Sequence, residues 1–223
     1  MITPYFTTGN GVLYNSNCLS MMRDMPDKSV DLVLTDPPYG MEYYSNHYKN
    51  GNPHDKIIGD NLFDSKWIEE FKRLAKKAVI VFCRWNNLKD LPQPKSFIVW
   101  IKNNWTAGDL KHEYGRMWEG ILFYPMENHK FNKREPDIID CRRTPSTELL
   151  HPTQKPVFLI ERLLENNSTE SDLILDPFLG SGTTAVACEK LNRRWIGCEI
   201  SEVYCKIARR RIEAEALQGK LCF

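Results

Sequence analysis

The chain has 223 residues and a mass of 26.0 kDa, enough for one core that needs no metal or disulfide staple. Apolar residues make up 42% and charged residues 26%, which excludes disordered, collagen-like and membrane-spanning classes. A net charge of +1 excludes a uniformly basic nucleic-acid binder, although residues 61–143 carry 16 basic against 11 acidic side chains, a distribution compatible with a polyanionic partner.

In chain order, short apolar runs alternate with amphipathic stretches, the pattern of an α/β fold with a largely parallel sheet. Strands are predicted at Val12–Tyr14 and Val30–Leu34. The second runs into Asp36-Pro37-Pro38-Tyr39, and two adjacent prolines force the chain out of the sheet at a strand's carboxyl end. Residues 40–60 are polar and read as a long loop. Trp67, Phe71, Leu74 and Ala78 repeat at helical spacing, so a helix is predicted over Ser65–Lys77 with Asp64 or Ser65 as its cap. Strands follow near 78–83, 97–101 and 120–124, and residues 125–150 look irregular. Pro156 suits the first turn of a helix reaching Glu165. Leu173–Leu175 is a strand ending in Asp176, Gly180-Ser181-Gly182 opens a helix to Lys190, Trp195–Cys198 is a strand ending at Glu199, and a last helix covers Glu202–Leu217.

The seven cysteines include no CxxC pair and no Cys/His array at zinc spacing. They predict reduced, mostly buried thiols in a cytoplasmic protein. No apolar run is long enough to span a bilayer, and Met1–Asn17 carries no basic stretch followed by an apolar one, so no secretory signal is expected. His47, His54, His112 and His129 lie in polar stretches without partners at ligand spacing, and no metal is expected.

Two segments carry chemistry. In Asp176-Pro177-Phe178-Leu179-Gly180-Ser181-Gly182-Thr183-Thr184, a strand, a glycine-rich turn and a helix start follow one another, as where a backbone approaches a nucleotide-like ligand. Glu199, at the end of the next strand, is an acceptor for ribose hydroxyls. The spacing matches neither GxGxxG nor GxxxxGK[ST], which disfavours NAD and P-loop readings. In Asp36-Pro37-Pro38-Tyr39, a carboxylate, a rigid backbone carbonyl and an aromatic ring sit at one strand end. Such a set accepts both hydrogens of an exocyclic amino group and stacks the heterocycle that bears it.

These motifs resemble the S-adenosylmethionine-dependent DNA amino-methyltransferases that act on adenine N6 or cytosine N4. The catalytic motif at Asp36–Tyr39 precedes the cofactor motif at Asp176–Gly182, the circular order of that family's beta group. His151-Pro152-Thr153-Gln154-Lys155-Pro156, Trp100-Ile101-Lys102 and Glu119-Gly120-Ile121-Leu122 also look like its segments. The resemblance implies a seven-stranded, mostly parallel Rossmann-like sheet with helices on both faces, in one domain over 1–223. A small target-recognition insertion is expected at about 125–150.

The resemblance further implies S-adenosylmethionine held by Asn17, Cys18, Asp36, Thr153, Lys155, Asp176, Pro177, Phe178, Gly180, Ser181, Gly182, Thr183 and Glu199. Lys155 would face the methionine end, and Phe178 would border the methyl group. Asn17 stands where the family often has Asp. It is either an adenine contact or a helix cap before Leu19. The implied reaction is direct methyl transfer to adenine N6 of a flipped base, with DNA contacts at Tyr43, Tyr44, Lys130, Lys133, Arg134, Arg142 and Arg143. Cytosine N4 is the second reading; a silent binding module and an RNA or protein methyltransferase are further alternatives. The oligomeric state is left open, with a homodimer as one option.

Overall fold

The central strands over Val30–Thr35 and Leu173–Asp176 are apolar almost throughout, because both of their faces are covered. A computed structural model describes residues 2–39, 66–106, 111–112, 114–145 and 154–220. In chain order its strands are β1 (Phe6–Thr7), β2 (Gly11–Asn15), β3 (Val30–Thr35), β4 (Ala75–Cys83), β5 (Ser96–Thr106), β6 (Arg116–Pro125), β7 (Ile138–Asp140), β8 (Leu173–Asp176) and β9 (Arg194–Glu199). The helices are α1 (Cys18–Arg23), α2 (Lys66–Leu74), α3 (Val157–Asn167), α4 (Thr183–Lys190) and α5 (Glu202–Lys220).

All nine described strands join one sheet in the order β1-β2-β9-β8-β3-β4-β6-β5-β7. The class expected from the sequence holds, but the count of seven does not. The two extra strands are β1, of two residues, and β7, of three, both too short to show a period. The pairings β2–β9, β9–β8, β8–β3, β3–β4 and β5–β7 are parallel, whereas β1–β2, β4–β6 and β6–β5 are antiparallel.

Alternation along the strands divides the core into two layers. Leu32 and Leu34 of β3 with Ile80 and Phe82 of β4 face Leu159, Ile160, Leu163 and Leu164 of α3 and the apolar sides of α4 and α5. Val33, Val79 and Val81 face the other way, onto Met21 and Met22 of α1 and Trp67, Ile68, Phe71 and Leu74 of α2. Helix α2 ends at Leu74 rather than Lys77, and β4 starts at once at Ala75. Ala75 and Ala78 continue the helical spacing by coincidence, but both are buried against β3, in register with Val30 and Leu32.

The topology fixes where a ligand can sit. From β3 the chain passes through α2 to β4 on one side; from β8 it passes through α4 to β9 on the other. β3 and β8 are neighbours, so the connections diverge between them and leave a crevice at their carboxyl ends. Asp36 follows β3 and Asp176 ends β8 at that crevice. No described helix is long and apolar enough to cross a membrane, and the six described cysteines are free.

Candidate active site

The bottom of the crevice is built by β8. Asp176, 5% exposed, accepts the Thr35 hydroxyl at 2.7 Å and the Phe178 amide at 3.1 Å through Oδ1. Burial pushes its carboxyl up to about 6, against the opposing hydrogen bonds from Thr184, Thr35 and Phe178. The turn beyond it needs glycine twice: Gly180 has φ 53° and Gly182 φ 87°, left-handed values that cost a side-chain residue roughly 1–2 kcal/mol. A Cβ on Gly182 would also stand 3.0 Å from the Ala208 Cβ of α5, so this glycine lets α4 and α5 approach. Gly182 is the residue preceding α4, whose first turn presents Thr183 and Thr184.

Glu199 ends β9 beside this turn. Its Oε2 accepts the Gly180 amide at 2.9 Å and its Oε1 the Ser201 amide at 2.8 Å, and burial raises its pKa against those bonds. The sequence led us to expect a ligand acceptor; the structure adds that the same carboxylate braces the glycine turn. Each oxygen keeps a second lone pair for a hydroxyl donor.

Sequence reasoning missed Arg211 of α5. Its Nη1 donates to Ser181 O at 2.7 Å, Ser181 Oγ at 2.9 Å and Thr183 Oγ1 at 3.2 Å. No local signal marks it, since it lies among other arginines of an amphipathic helix. Pro177 is buried, and Phe178 packs its ring 4.8 Å from Trp67 and 6.5 Å from Phe71, on the α2 side of the sheet. Asn17 is the cap of α1: its Oδ1 accepts the Leu19 and Ser20 amides at 2.9 and 3.2 Å, so the cap reading describes its carbonyl. Cys18 opens that helix with its thiol pushed up to about 11, chiefly by burial. The chain just ahead of α1 abuts Glu199: Asn15 Nδ2, at the end of β2, and the Ser16 amide donate to Glu199 O at 2.9 and 3.1 Å.

The upper half of the site is an ionic cluster at Asp36. The Lys155 ammonium, from the segment before α3, pairs with Asp36 Oδ2 and lies 2.8 Å from Glu119 Oε1. Lys102 of β5 pairs with Glu119 Oε2 at 3.0 Å. The Tyr39 hydroxyl contacts Asp36 Oδ1 and lies 2.9 Å from Glu119 Oε1. The Lys155 ammonium stands 4.9 Å over the Phe82 ring and 5.9 Å over Tyr39, so aromatic faces share its charge.

Burial raises the Asp36 carboxyl above its ordinary range, with Lys155 opposing and Glu119 reinforcing. Burial acts upward on Glu119 too, but Lys155 and Lys102 outweigh it and hold that carboxyl at about 2. Burial presses Lys155 down, yet Asp36 and Glu119 leave it above its usual value; Tyr39 is pushed well up, by burial and then by both carboxylates. Asp36 keeps 21% of its side chain exposed, against 8% for Lys155 and 12% for Glu119. It is therefore the charged member of the cluster that a substrate can reach. The resemblance implied that Lys155 faces a cofactor; the structure adds that its ammonium bridges two carboxylates. Glu119 and Lys102 received no role from the sequence, though a glutamate and a lysine within apolar strands were the available signal.

The expected recognition segment is split. Residues 126–135 cross the amino ends of the central strands, away from Asp36: the Met126 amide donates to Lys77 O at 2.7 Å, and Asn132 bonds Glu165 O and Ser168 O at the end of α3. Lys130, Lys133 and Arg134 are therefore not brought to the site. They are exposed because this stretch caps α3. The chain then returns through β7, parallel to β5, and delivers Arg142 and Arg143 to the Asp36 side, where Arg143 acts electrostatically on Lys102. Exposed aromatic residues share this edge: Trp85, just past β4, Tyr114, ahead of β6, and Trp118, within β6. Tyr43, Tyr44 and the rest of the expected 40–60 loop, and Thr153, lie outside the described residues. Among the described residues no cluster of potential metal ligands occurs.

Comparison with known proteins agrees with this geometry. The family model N6_N4_Mtase, a DNA methylase, matches residues 30–210. The chain is 29% identical over 96% of its length to the type II methyltransferase M2.DpnII of Streptococcus pneumoniae, covering 94% of that protein. The structure of an M1.HpyAVI–SAM complex superposes with a TM-score of 0.68 at 26% identity, covering 89% of this chain and 98% of that one. The cytosine-N4-specific PvuII DNA methyltransferase gives a TM-score of 0.70 over 94% of this chain and 89% of its own, at 18% identity, a likeness of fold alone.

Proposed function

The chain belongs to the N6_N4_Mtase family of DNA methylases, and from that premise we propose that it transfers a methyl group from S-adenosylmethionine to the exocyclic N6 of adenine in DNA. The observation that carries this reading is the position of Asp36: a reachable carboxylate at the end of β3, next to the glycine turn that follows β8. The choice of adenine rests on the carboxylate itself, since the cytosine-N4 enzymes that the motif resembles more often carry Ser at this position.

The residues fit the methyl donor. A ribose diol needs an acceptor at the end of β9, and Glu199 retains lone pairs there. A methionine carboxylate needs backbone N–H donors at a helix start, and the turn that opens α4 supplies them. When bound, S-adenosylmethionine supplies an electrophilic methyl group on a sulfonium. The chain's own residues do the rest. The target base must leave the duplex to enter the crevice. Asp36 and the Pro37 carbonyl take the two amino hydrogens, which favours the pyramidal nitrogen and offsets the positive charge that grows on it. The Asp36 oxygens remain competent because each keeps a lone pair beside its contact with Tyr39 or Lys155. Tyr39, anchored at its hydroxyl, offers its ring for stacking. Arg142, Arg143, Trp85, Tyr114 and Trp118 form the edge that a duplex meets first, with phosphate contacts that weaken as salt rises.

Purified protein supplied with methyl-labelled S-adenosylmethionine should label DNA in preference to RNA or protein. Enzymatic digestion should then release N6-methyladenosine deoxynucleoside; label in the N4-methylcytosine deoxynucleoside would overturn the choice of base. Glu199→Ala should weaken S-adenosylmethionine binding by about 1.5–3 kcal/mol, the worth of a charge-assisted acceptor. Calorimetry on a folded variant with unchanged affinity would remove Glu199 from the cofactor site.

A further inference from the structure

Lys155 has two anionic partners, whereas Asp36 has one cationic one, and that asymmetry assigns Glu119 a task. We propose that Glu119 is a positioning residue: by sharing the Lys155 ammonium, it keeps Asp36 oriented and basic enough to receive the target amino group. The inference rests on the reading of Asp36 as the catalytic carboxylate and deepens it.

Three geometric facts support it. The Lys155 ammonium has three protons, and two of its directions are taken by Asp36 Oδ2 and Glu119 Oε1, so its position is set by both carboxylates at once. The Tyr39 hydroxyl has a single proton yet touches an oxygen of each, so the two carboxylates share that contact too. Lys102 closes the cluster on the far oxygen of Glu119, at 3.0 Å. Glu119 thus joins every other member of the cluster except Asp36, and it reaches Asp36 through Lys155 and Tyr39. With Glu119 ionised at about 2, two carboxylates balance two ammonium groups. Without its charge, Lys155 is left to Asp36 alone, in a tight pair that draws down the acceptor strength the reaction uses.

Other charged groups facing Asp36 are few. Asp176 interacts with it from β8 and Cys83 from β4, the Cys83 thiol being held up to about 12 by burial and then by Glu119 and Asp36. Arg143 acts on the cluster only at Lys102. Removing the Glu119 charge eases the Cys83 thiol downward, but that thiol titrates far above the acidic range, so a change in the acidic limb of the rate profile reports on Asp36.

The test is single-turnover methyl transfer to DNA between pH 4.5 and 9, with S-adenosylmethionine affinity measured on the same samples. In Glu119→Gln, the unshared Lys155 makes Asp36 more acidic. The acidic limb should move to lower pH, and the plateau should fall about tenfold or more, while cofactor affinity stays near that of the parent. In Lys155→Gln, Asp36 loses its cation, and the limb should move to higher pH. A limb that stays in place in both variants, or moves the same way in both, overturns the proposal, because a merely structural glutamate would lower activity equally at every pH. If Glu119→Gln does not fold, Lys102→Met combined with it removes one charge of each sign. The same downward movement is then expected, and its absence is decisive. Asp36→Asn separates the two levels. Near-parental transfer by that variant removes the reading of Asp36 itself, whereas an inactive Asp36→Asn beside an unmoved Glu119→Gln profile removes only the role of Glu119.

Discussion

Asp36→Ala should fold, bind S-adenosylmethionine with near-parental affinity and transfer methyl groups at least 10²–10³-fold more slowly, by analogy with the loss of one preorganised oxyanion-hole donor. The fold should survive because the partner left behind is not orphaned. Lys155 keeps Glu119 at 2.8 Å, so the variant holds no lone buried ammonium, the situation that makes breaking a buried pair expensive. Cofactor affinity should survive because the glycine turn is held by Glu199 and Arg211, neither of which contacts Asp36. The chemical step should fail because the acceptor facing the amino group is gone at the point where positive charge develops. Single-turnover transfer and calorimetry on the same preparation separate these effects: near-parental transfer removes Asp36 from the mechanism, and loss of both activities makes it structural.

Phe82→Ala should cost roughly 3–5 kcal/mol of stability, as aromatic truncations in cores do, and lower the melting temperature by about 10 °C for a chain of this size. Phe82 is 1% exposed in β4. Its ring meets Trp100 edge-on at 6.4 Å on one side and the Lys155 ammonium at 4.9 Å on the other. The substitution therefore opens a void beside Trp100, next to the Lys155 ammonium, and withdraws the aromatic face from a buried cation. Phe82→Leu, which refills much of the volume but not the ring, should recover most of the stability. Thermal melts of the three proteins would decide it; an alanine variant as stable as the parent would show that the packing around Phe82 collapses without cost.

What the sequence made legible was local. Runs such as Val30–Leu34 and Leu173–Leu175 announce central strands because both faces of such strands are buried. The prolines after Asp36 and the glycines after Asp176 mark where backbone must leave the sheet. The adjacency of those two ends followed from topology alone. What stayed hidden depends on contacts between distant residues. Glu119 and Lys102 belong to neighbouring antiparallel strands, with Trp100 opposite Glu119 and Ile101 opposite Trp118, and Lys155 precedes α3. No spacing in the chain announces that they meet at Asp36. Where the basic stretch at Lys130–Arg134 lies relative to Asp36 was not legible, because composition reports charge and not direction. The direction was decided by Asn132, tied to the end of α3, and by Glu135, tied to the middle of that helix through its 2.7 Å pair with Arg162. The end of α2 misled because Ala75 and Ala78 satisfy helical and strand periods alike.

The central claim, that this chain places methyl groups on adenine amino nitrogens of DNA through Asp36, is tested most directly in living cells. The parent chain and its Asp36→Ala variant would be expressed in a bacterial host lacking its own adenine methylation, and the host DNA sequenced with detection of modified bases. N6-methyladenine is expected at a short recurring sequence with the parent chain, and none with the variant. Unmodified DNA from the parent at full expression, or modification that persists in the Asp36→Ala cells, would contradict it.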